Sequence, residues 1–380
     1  MADIRLIRPE EREEAIRLSD RTFRSPGQSS MGQAFPDVFS MELRQSYGAF
    51  EEGRLAAFMG LVPAVLRIGS ASVHAMLLGS VCTAEEYRGR GLAAELLNKV
   101  IAHSDEAGAT LLLVSGGRGL YQRAGCYPFG RSDILELTPE SVGAGGKCPD
   151  GAVCREFSPE DWFHLQRLAS ARKVRFDASL ADLARLIRSE AWASIVGLRH
   201  RVLLAERGGL PLAFAVIGIP DDPADPEKPA RLIEWAGDAE AASMLIAESI
   251  GRYGLSRIAV PVPWHERELA AALLPLTDRS NPEADRHTVK ILNSERLLGQ
   301  LTPYLMETQE QYAFDFSLKG RTDGGAILYL GGRTAELHAE ELVSLLFDPD
   351  SAFPLHADFR RELGGLLPVP LPYEKGLHYV

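Results

Sequence analysis

The stretch from Val81 to Ala94 reads V-C-T-A-E-E-Y-R-G-R-G-L-A-A. Behind it, Leu92, Ala93, Leu96, Leu97, Val100 and Ile101 recur at helical spacing, which marks the buried face of a helix beginning near Leu92. Arg88, Gly89, Arg90 and Gly91 therefore stand at a helix N-terminus, where the first amides lack intrahelical partners and the helix dipole is positive. Glycines let a ligand approach the backbone, and two guanidinium groups add charge suited to a pyrophosphate. The chemistry expected of this loop is anion binding. The bland reading is a glycine-rich strand-to-helix turn with solvated arginines. Gly89-x-Gly91-x-x-Ala94 also satisfies the dinucleotide fingerprint, but the preceding strand ends about five residues too early and the acidic ribose partner expected about 20 residues on is missing. Neither G-x-x-x-x-G-K-[ST] nor G-x-S-x-G occurs, so the sequence offers no P-loop and no nucleophile elbow.

Other reactive side chains are scattered. Cys82 and Cys126 have no histidine beside them in sequence, and small buried thiols are the simpler expectation. The four cysteines form no C-x-x-C pair, which leaves reduced thiols as the default; Cys148 and Cys154 alone make a poor zinc site. The histidines show no H-E-x-x-H spacing, so no metal is expected. Tyr121, in G-L-Y-Q-R-A-G-C-Y from Gly119 to Tyr127, carries a phenol that is protonated at neutral pH and able to donate a proton.

The elements that must position these residues recur. A strand Ile4 to Ile7 leads through R-P-E-E into a helix from about Glu10 to Thr22, and Val153 to Phe157 leads through S-P-E-D into a helix from about Glu160 to Arg172. The hairpin grammar of Gly48 to Leu61 returns at Val202 to Gly218. The strand, helix and strand at Leu77 to Thr83, Leu92 to Ser104 and Leu111 to Val114 return at Leu232 to Ala236, Ala239 to Arg252 and Arg257 to Val260. Offsets near 150 residues imply duplication of one α/β domain with mixed sheets. The second copy reads W-A-G-D-A-E-A-A-S-M-L at the loop position, with acids where phosphate would sit. From about Arg286 a strand Val289 to Leu292, a helix Ser294 to Leu305, strands Ala313 to Leu318 and Ala326 to Leu330 and a helix His338 to Phe347 form a smaller α+β unit. Expected boundaries are 1–150, 151–285 and 286–380. Pro220 to Pro229 reads as a surface loop, and Phe23 to Ser46 as a mobile loop bordering the acceptor pocket.

A chain of 380 residues, 46% hydrophobic and 24% charged, has room for several cores and is not disordered. With 41 basic against 52 acidic residues, and 16 against 19 within residues 1–150, neither portion has the basic excess that nucleic-acid binding requires. The net charge of −11 favours approach of cationic amines. No apolar run is long enough to span a membrane and the start is not a signal peptide, so a cytoplasmic protein without nucleic-acid or membrane partners is expected.

Arg88 to Ala93 resembles the [Q/R]-x-x-G-x-[G/A] signature of the GCN5-related N-acetyltransferase (GNAT) superfamily, and Gly119 to Tyr127 is similar to its second signature, aromatic-Tyr-x-x-x-Gly-Phe. Two such domains, the second degenerate, followed by a small α+β unit resemble the enhanced-intracellular-survival (Eis) acetyltransferases, whose last domain is sterol-carrier-like. The resemblance implies an acetyl-CoA-dependent N-acetyltransferase acting by direct attack of an amine, with Tyr121 as general acid and the terminal carboxylate of Val380 as base. It implies coenzyme contacts at Val81, Cys82 and Thr83, at Arg88, Gly89, Arg90, Gly91, Leu92, Ala93 and Ala94, and at Gly116 and Gly117. It also implies a small-molecule or lysine amine as acceptor, and oligomers occur in the family. The final valine departs from the aromatic terminus of its best-known members. The alternative is a non-catalytic carrier of an apolar ligand, or an acetyl-CoA sensor.

Overall fold

Arg54 to Thr83 folds as two long antiparallel strands because alternate residues of each face two apolar layers. The structure, a computed structural model, describes residues 2–143, 151–283, 287–308, 315–363 and 365–380; Cys148 and the start of the expected strand Ala313–Leu318 lie outside them. The opening elements are β1 (Asp3–Leu6), α1 (Arg12–Phe23), α2 (Met31–Ala34), β2 (Tyr47–Glu51), β3 (Arg54–Ile68), β4 (Ala71–Thr83), α3 (Leu92–Glu106), β5 (Leu111–Val114), α4 (Gly119–Arg123), β6 (Tyr127–Pro128) and β7 (Ser132–Leu137). Contacts divide the chain into two units: 1–130 with 285–372 and Val380, and 131–284 with Tyr373–Tyr379.

In the first unit the sheet runs β1-β2-β3-β4-β5, then Thr288–Ile291, then β6. β4 and β5 are parallel; their neighbours on either side are antiparallel. Leu92, Leu96, Leu97 and Val100 of α3 pack with Ala57, Met59, Leu61, Met76 and Leu78 on one face of the sheet. α1 takes the other face, with Ser19 Oγ 3.8 Å from Cys82 Sγ. The strand expected to open the C-terminal portion is thus the partner of β5 and β6 in the first sheet. The rest of that portion is a three-stranded sheet, Phe316–Gly320, Ala326–Leu330 and Arg333–Leu337, with the helices Ser294–Thr308, Ala339–Phe347 and Pro354–Glu362. Its first helix lies along β4: Gln300 Oε1 accepts from His74 N at 3.0 Å, and Glu307 Oε2 from Ser70 N at 3.0 Å.

The second unit has a seven-stranded sheet in the order Arg279–Pro282, β7, Ile258–Pro263, Ala230–Gly237, Leu210–Pro220, Leu198–Arg207, Ala152–Glu156. β7, which the sequence boundaries assign to the first domain, pairs along its whole length with Ile258–Pro263. The helix Ala239–Tyr253 buries Ala242, Leu245, Ile246 and Ile250 against this sheet. The architecture is mixed α/β, two sheets of similar strand sequence and a small C-terminal sheet.

One expectation is overturned. Phe23–Ser46 is not a bare loop. Ser30 Oγ caps α2 by accepting from Gly32 N at 3.1 Å, and Met31, Ala34, Phe35, Val38 and Phe39 are all buried. The apolar residues between the polar ones outweigh the loop-like S-P-G-Q-S-S composition, and Phe39 stacks on Phe58 with centroids 5.3 Å apart.

Candidate active site

Between β4 and α3 the chain makes a short 3-10 turn, Glu85–Tyr87, and then the Arg88–Gly91 loop. Gly89 and Gly91 adopt φ of 77° and 82°, and a Cβ at either would meet nothing within 4 Å, so both glycines border open space. Ala94 and Glu95 donate back to Gly91 O at 2.9 and 3.2 Å, leaving the amides of Gly89 through Ala93 ahead of the helix's first bonds. Arg88 is exposed and holds Glu85 at 3.4 Å; Arg90 pairs with Glu51 at 2.7 Å and lies over the Tyr87 ring. Left-handed glycines, free amides, a helix dipole and two cations fit a pyrophosphate.

β4 and β5 stay in parallel register from Ala75–Leu111 to Leu78–Val114, where pairing ends and the strands part. Immediately beyond, β4 carries a β-bulge: Gly60 pairs with Gly79 and Phe58 with Cys82, so β4 spends three steps where β3 spends two. Ser80 adopts φ of 52°, unusual for a residue with a Cβ, and its hydroxyl is buried without a protein partner among the described residues. At this bulge the chain terminus arrives. A Cβ on Gly79 would overlap the terminal carboxyl carbon and oxygen of Val380, so only glycine leaves room for the carboxylate. Val38 covers the neighbouring glycine in the same way, against Gly60.

Tyr121 reaches the parting strands from the α3 side. It is buried in the cluster that holds Leu78 and Val114, the last paired residues, and its Cε2 would lie 3.7 Å from a Cβ on Gly116. Gly116 has φ of 153° and its carbonyl accepts from Thr288 Oγ1 at 3.0 Å; Gly117 borders open space. Val81 packs toward α3 and Cys82 toward α1. Val81–Thr83 thus follow the bulge at which Val380 arrives, Gly116 and Tyr121 lie beyond the end of β5 on the α3 side, and Arg88–Ala94 lead into α3.

The thiols stand apart from this chemistry. Burial pushes Cys82 and Cys126 up to about 11, so both stay protonated at neutral pH. His378 stacks on Phe176 at 4.4 Å, and burial pushes its pKa down to about 4, which makes it a neutral packing group. Among the described residues no three His, Cys, Asp or Glu side chains form a metal-binding group, and no helix is long and apolar enough to cross a membrane. Sequence reasoning missed Gly79 and Ser80. The signal was present: L-G-S in the middle of an apolar strand marks a bulge or a close backbone approach.

Residues 3–129 match the acetyltransferase (GNAT) domain family. An uncharacterized N-acetyltransferase of Streptomyces griseus is 27% identical over 172 residues, 42% of this chain and 41% of that protein; the chain thus matches less than half the length of its curated relative. Among solved structures, a GCN5-related N-acetyltransferase from Anabaena variabilis shares the fold with a TM-score of 0.69 and 14% identity, over 99% of this chain and 98% of that one. Eis1 from Mycobacterium abscessus shares it with a TM-score of 0.63 and 14% identity, over 97% and 96%. The expected mixed α/β architecture, with two sheets and a small C-terminal one, is therefore that of Eis1 across nearly the whole chain.

Proposed function

We propose, from the premise that this chain belongs through residues 3–129 to the GNAT acetyltransferase superfamily, that it transfers an acetyl group from acetyl-CoA to a primary amine. The observation that carries this reading is the approach of the Val380 carboxylate to Gly79, at the bulge where β4 leaves β5. The reading gives this carboxylate the task of taking a proton from an amine that enters beside the bulge.

Acetyl-CoA supplies an activated thioester as acyl donor. The amides of Gly89 through Ala93 and the side chains of Arg88 and Arg90 hold its pyrophosphate, and the gap beyond Leu78 and Val114 admits its pantetheine arm. The unpaired backbone of the bulge, from Ser80 to Val81, offers amides to a carbonyl oxygen that gains charge. The Val380 carboxylate removes the proton of the amine, and Tyr121 protonates the departing thiolate. The second unit serves as a scaffold and takes no coenzyme.

Calorimetry with acetyl-CoA, followed by thiol release on adding amines, tests the reading. Binding and release are expected, and Tyr121→Phe should lower turnover about a hundredfold while leaving coenzyme affinity unchanged. Absence of binding at high micromolar acetyl-CoA would favour the carrier alternative; binding without release to any amine would favour a sensor.

A further inference from the structure

Among the described residues, buried guanidinium groups other than that of Arg24 have oxygen acceptors. Arg172 is held by Glu234 and Glu266, Arg231 by Glu283, and Arg360 by the carbonyls of Ser344, Leu345 and Asp348. At Arg24, Nε, Nη1 and Nη2 are all buried and none has a protein acceptor among the described residues. The group lies over the Phe35 ring, 5.5 Å from its centroid. The charge of Asp20, which receives the Met31 amide at 2.6 Å, fails to offset the burial that lowers the pKa of Arg24. A guanidinium cannot escape such a place by losing its proton, so it is strongly unfavourable without a partner.

Its position says where the partner comes from. Arg24 ends α1, on the face of the first sheet where Ser19 meets Cys82. Phe35, beneath it, accepts from Val38 N at 3.1 Å; Val38 lies against Gly60, and Gly60 pairs with Gly79, which faces Val380. Arg24 and the terminal carboxylate therefore occupy one face of one sheet. The loop suited to a pyrophosphate opens α3, which covers the opposite face. A pyrophosphate held at that loop therefore lies across the sheet from Arg24.

We propose that Arg24 binds a carboxylate carried by the acceptor, so that the acceptor is a small molecule bearing both a primary amine and a carboxylate. The inference rests on the acetyltransferase reading for the word acceptor. One guanidinium balances one negative charge, which a single carboxylate supplies. The planar fork of the arginine accepts a carboxylate bidentately while its stacking on Phe35 is kept. An acceptor that is amine at one end and acid at the other also suits a site with a carboxylate base at Gly79 and a cation at the end of α1.

The test uses ω-amino carboxylates of graded chain length, each beside its uncharged primary amide, assayed by thiol release from acetyl-CoA. At one length the acid should exceed its amide in kcat/KM by about a hundredfold, because the amide leaves the buried cation unpaired. Arg24→Met should abolish that preference through KM, with the KM for acetyl-CoA unchanged, and Arg24→Lys should retain part of it. Arg24→Met should melt no lower than wild type, since it removes an unpaired buried charge; Arg24→Gln repeats the assay if methionine disturbs packing. Equal rates for acid and amide, or an Arg24→Met protein that keeps the preference, overturn the proposal and leave the transferase reading standing. Calorimetry of the same amino carboxylates without coenzyme separates the converse: binding lost in Arg24→Met, with no acetyl transfer to any amine, upholds the anion site and removes the transferase reading. Failure of both binding and preference overturns the anion site.

Discussion

The two copies of the strand–helix–strand unit start from the same plan and differ at the opening between their parallel strands. In the first, β4 and β5 part after Leu78–Val114, and eight residues, 84–91, lead to α3. In the second, pairing between Ala230–Gly237 and Ile258–Pro263 ends at Arg231–Ala259, and Asp238 alone separates strand from helix. Both strands then bulge: the second copy spends an extra residue at Ile233, between Val216–Glu234 and Ile217–Leu232. Past their bulges the copies diverge. In the first copy the terminal carboxylate of Val380 lies against the strand at the bulge, and the amides of Gly89 through Ala93 precede the helix's first bonds. In the second, Gly376 lies against Ile233 O and Glu234, and Leu377 joins the cluster containing Ile233. Tyr373 and Lys375 are tied to Glu283, and Asp238 Oδ1 accepts from Ala241 N at 2.8 Å. One copy borders open space at Gly89 and Gly91 ahead of its helix; the other caps its helix with Asp238 and packs Gly376 and Leu377 against the strand before it. The two copies thus differ without a change of fold, by a shorter loop and a side chain that caps.

The largest effect should come from closing the first opening by a single methyl group. Gly79→Ala places a Cβ on the Val380 carboxylate and must displace it, while the loop and α3 are untouched. Turnover should fall about 10²–10³-fold with acetyl-CoA affinity preserved, measured by steady-state kinetics beside calorimetry. Adding one residue after Val380 should act in the same way without altering β4. Full activity in the extended protein would separate the carboxylate from the chemistry.

The contrast between the copies was partly legible in the sequence. R-G-R-G before an amphipathic run announced free amides at α3, and D-A-E-A at the second position announced acids instead. Helices with a clear apolar stripe, such as α3 and Ala239–Tyr253, were readable to within about two residues. The exchange of β7 and of Thr288–Ile291 was not, because strand partners far apart in sequence leave no local pattern. Arg333–Leu337 escaped because R-T-A-E-L, mostly exposed, lacks alternation. The close approach of Gly79 to Val380 joins residues 301 positions apart, and only the L-G-S bulge hinted at it. Arg24 was invisible as a site because its neighbourhood read as a loop, whereas its burial follows from Met31, Phe35 and Val38.

A smaller effect should appear on acidification, and it bears on the filled copy. His378 stacks on Phe176 near Asp182 and Arg185, and His265 lies beside Glu266 and Arg172; burial lowers both to about 4. Unfolded, each titrates near 6.5, so between pH ~6.5 and ~4 the unfolded chain binds more protons than the folded one. The stability these groups confer is full above pH ~6.5 and is lost progressively as the pH falls toward 4. Melting temperature should fall over that window, and less steeply in His378→Gln. His356 in the first unit, also lowered to about 4, titrates in the same direction, so His356→Gln is the control. An unchanged slope in His378→Gln would show that the tail does not depend on a neutral imidazole.

The smallest effect tests whether the cap alone silences the second copy. Asp238 Oδ1 accepts from Ala241 N, whereas the matching amide of α3, Ala94 N, bonds the Gly91 carbonyl, so Asp238→Ala removes a side-chain acceptor from the helix start. The expected cost is about 1 kcal/mol of stability, read by denaturant unfolding. Acetyl-CoA stoichiometry should remain one per chain, because the uncapped helix still lacks the longer loop and the arginines, and Gly376 and Leu377 still lie against the strand ahead of it. Three features distinguish the copies, and a pyrophosphate needs all of them together: free amides, a loop long enough to stand clear of the strand, and cations. If uncapping one helix brought a second equivalent of coenzyme onto the chain, the filled opening would count for nothing and a single carboxylate would account for the whole difference.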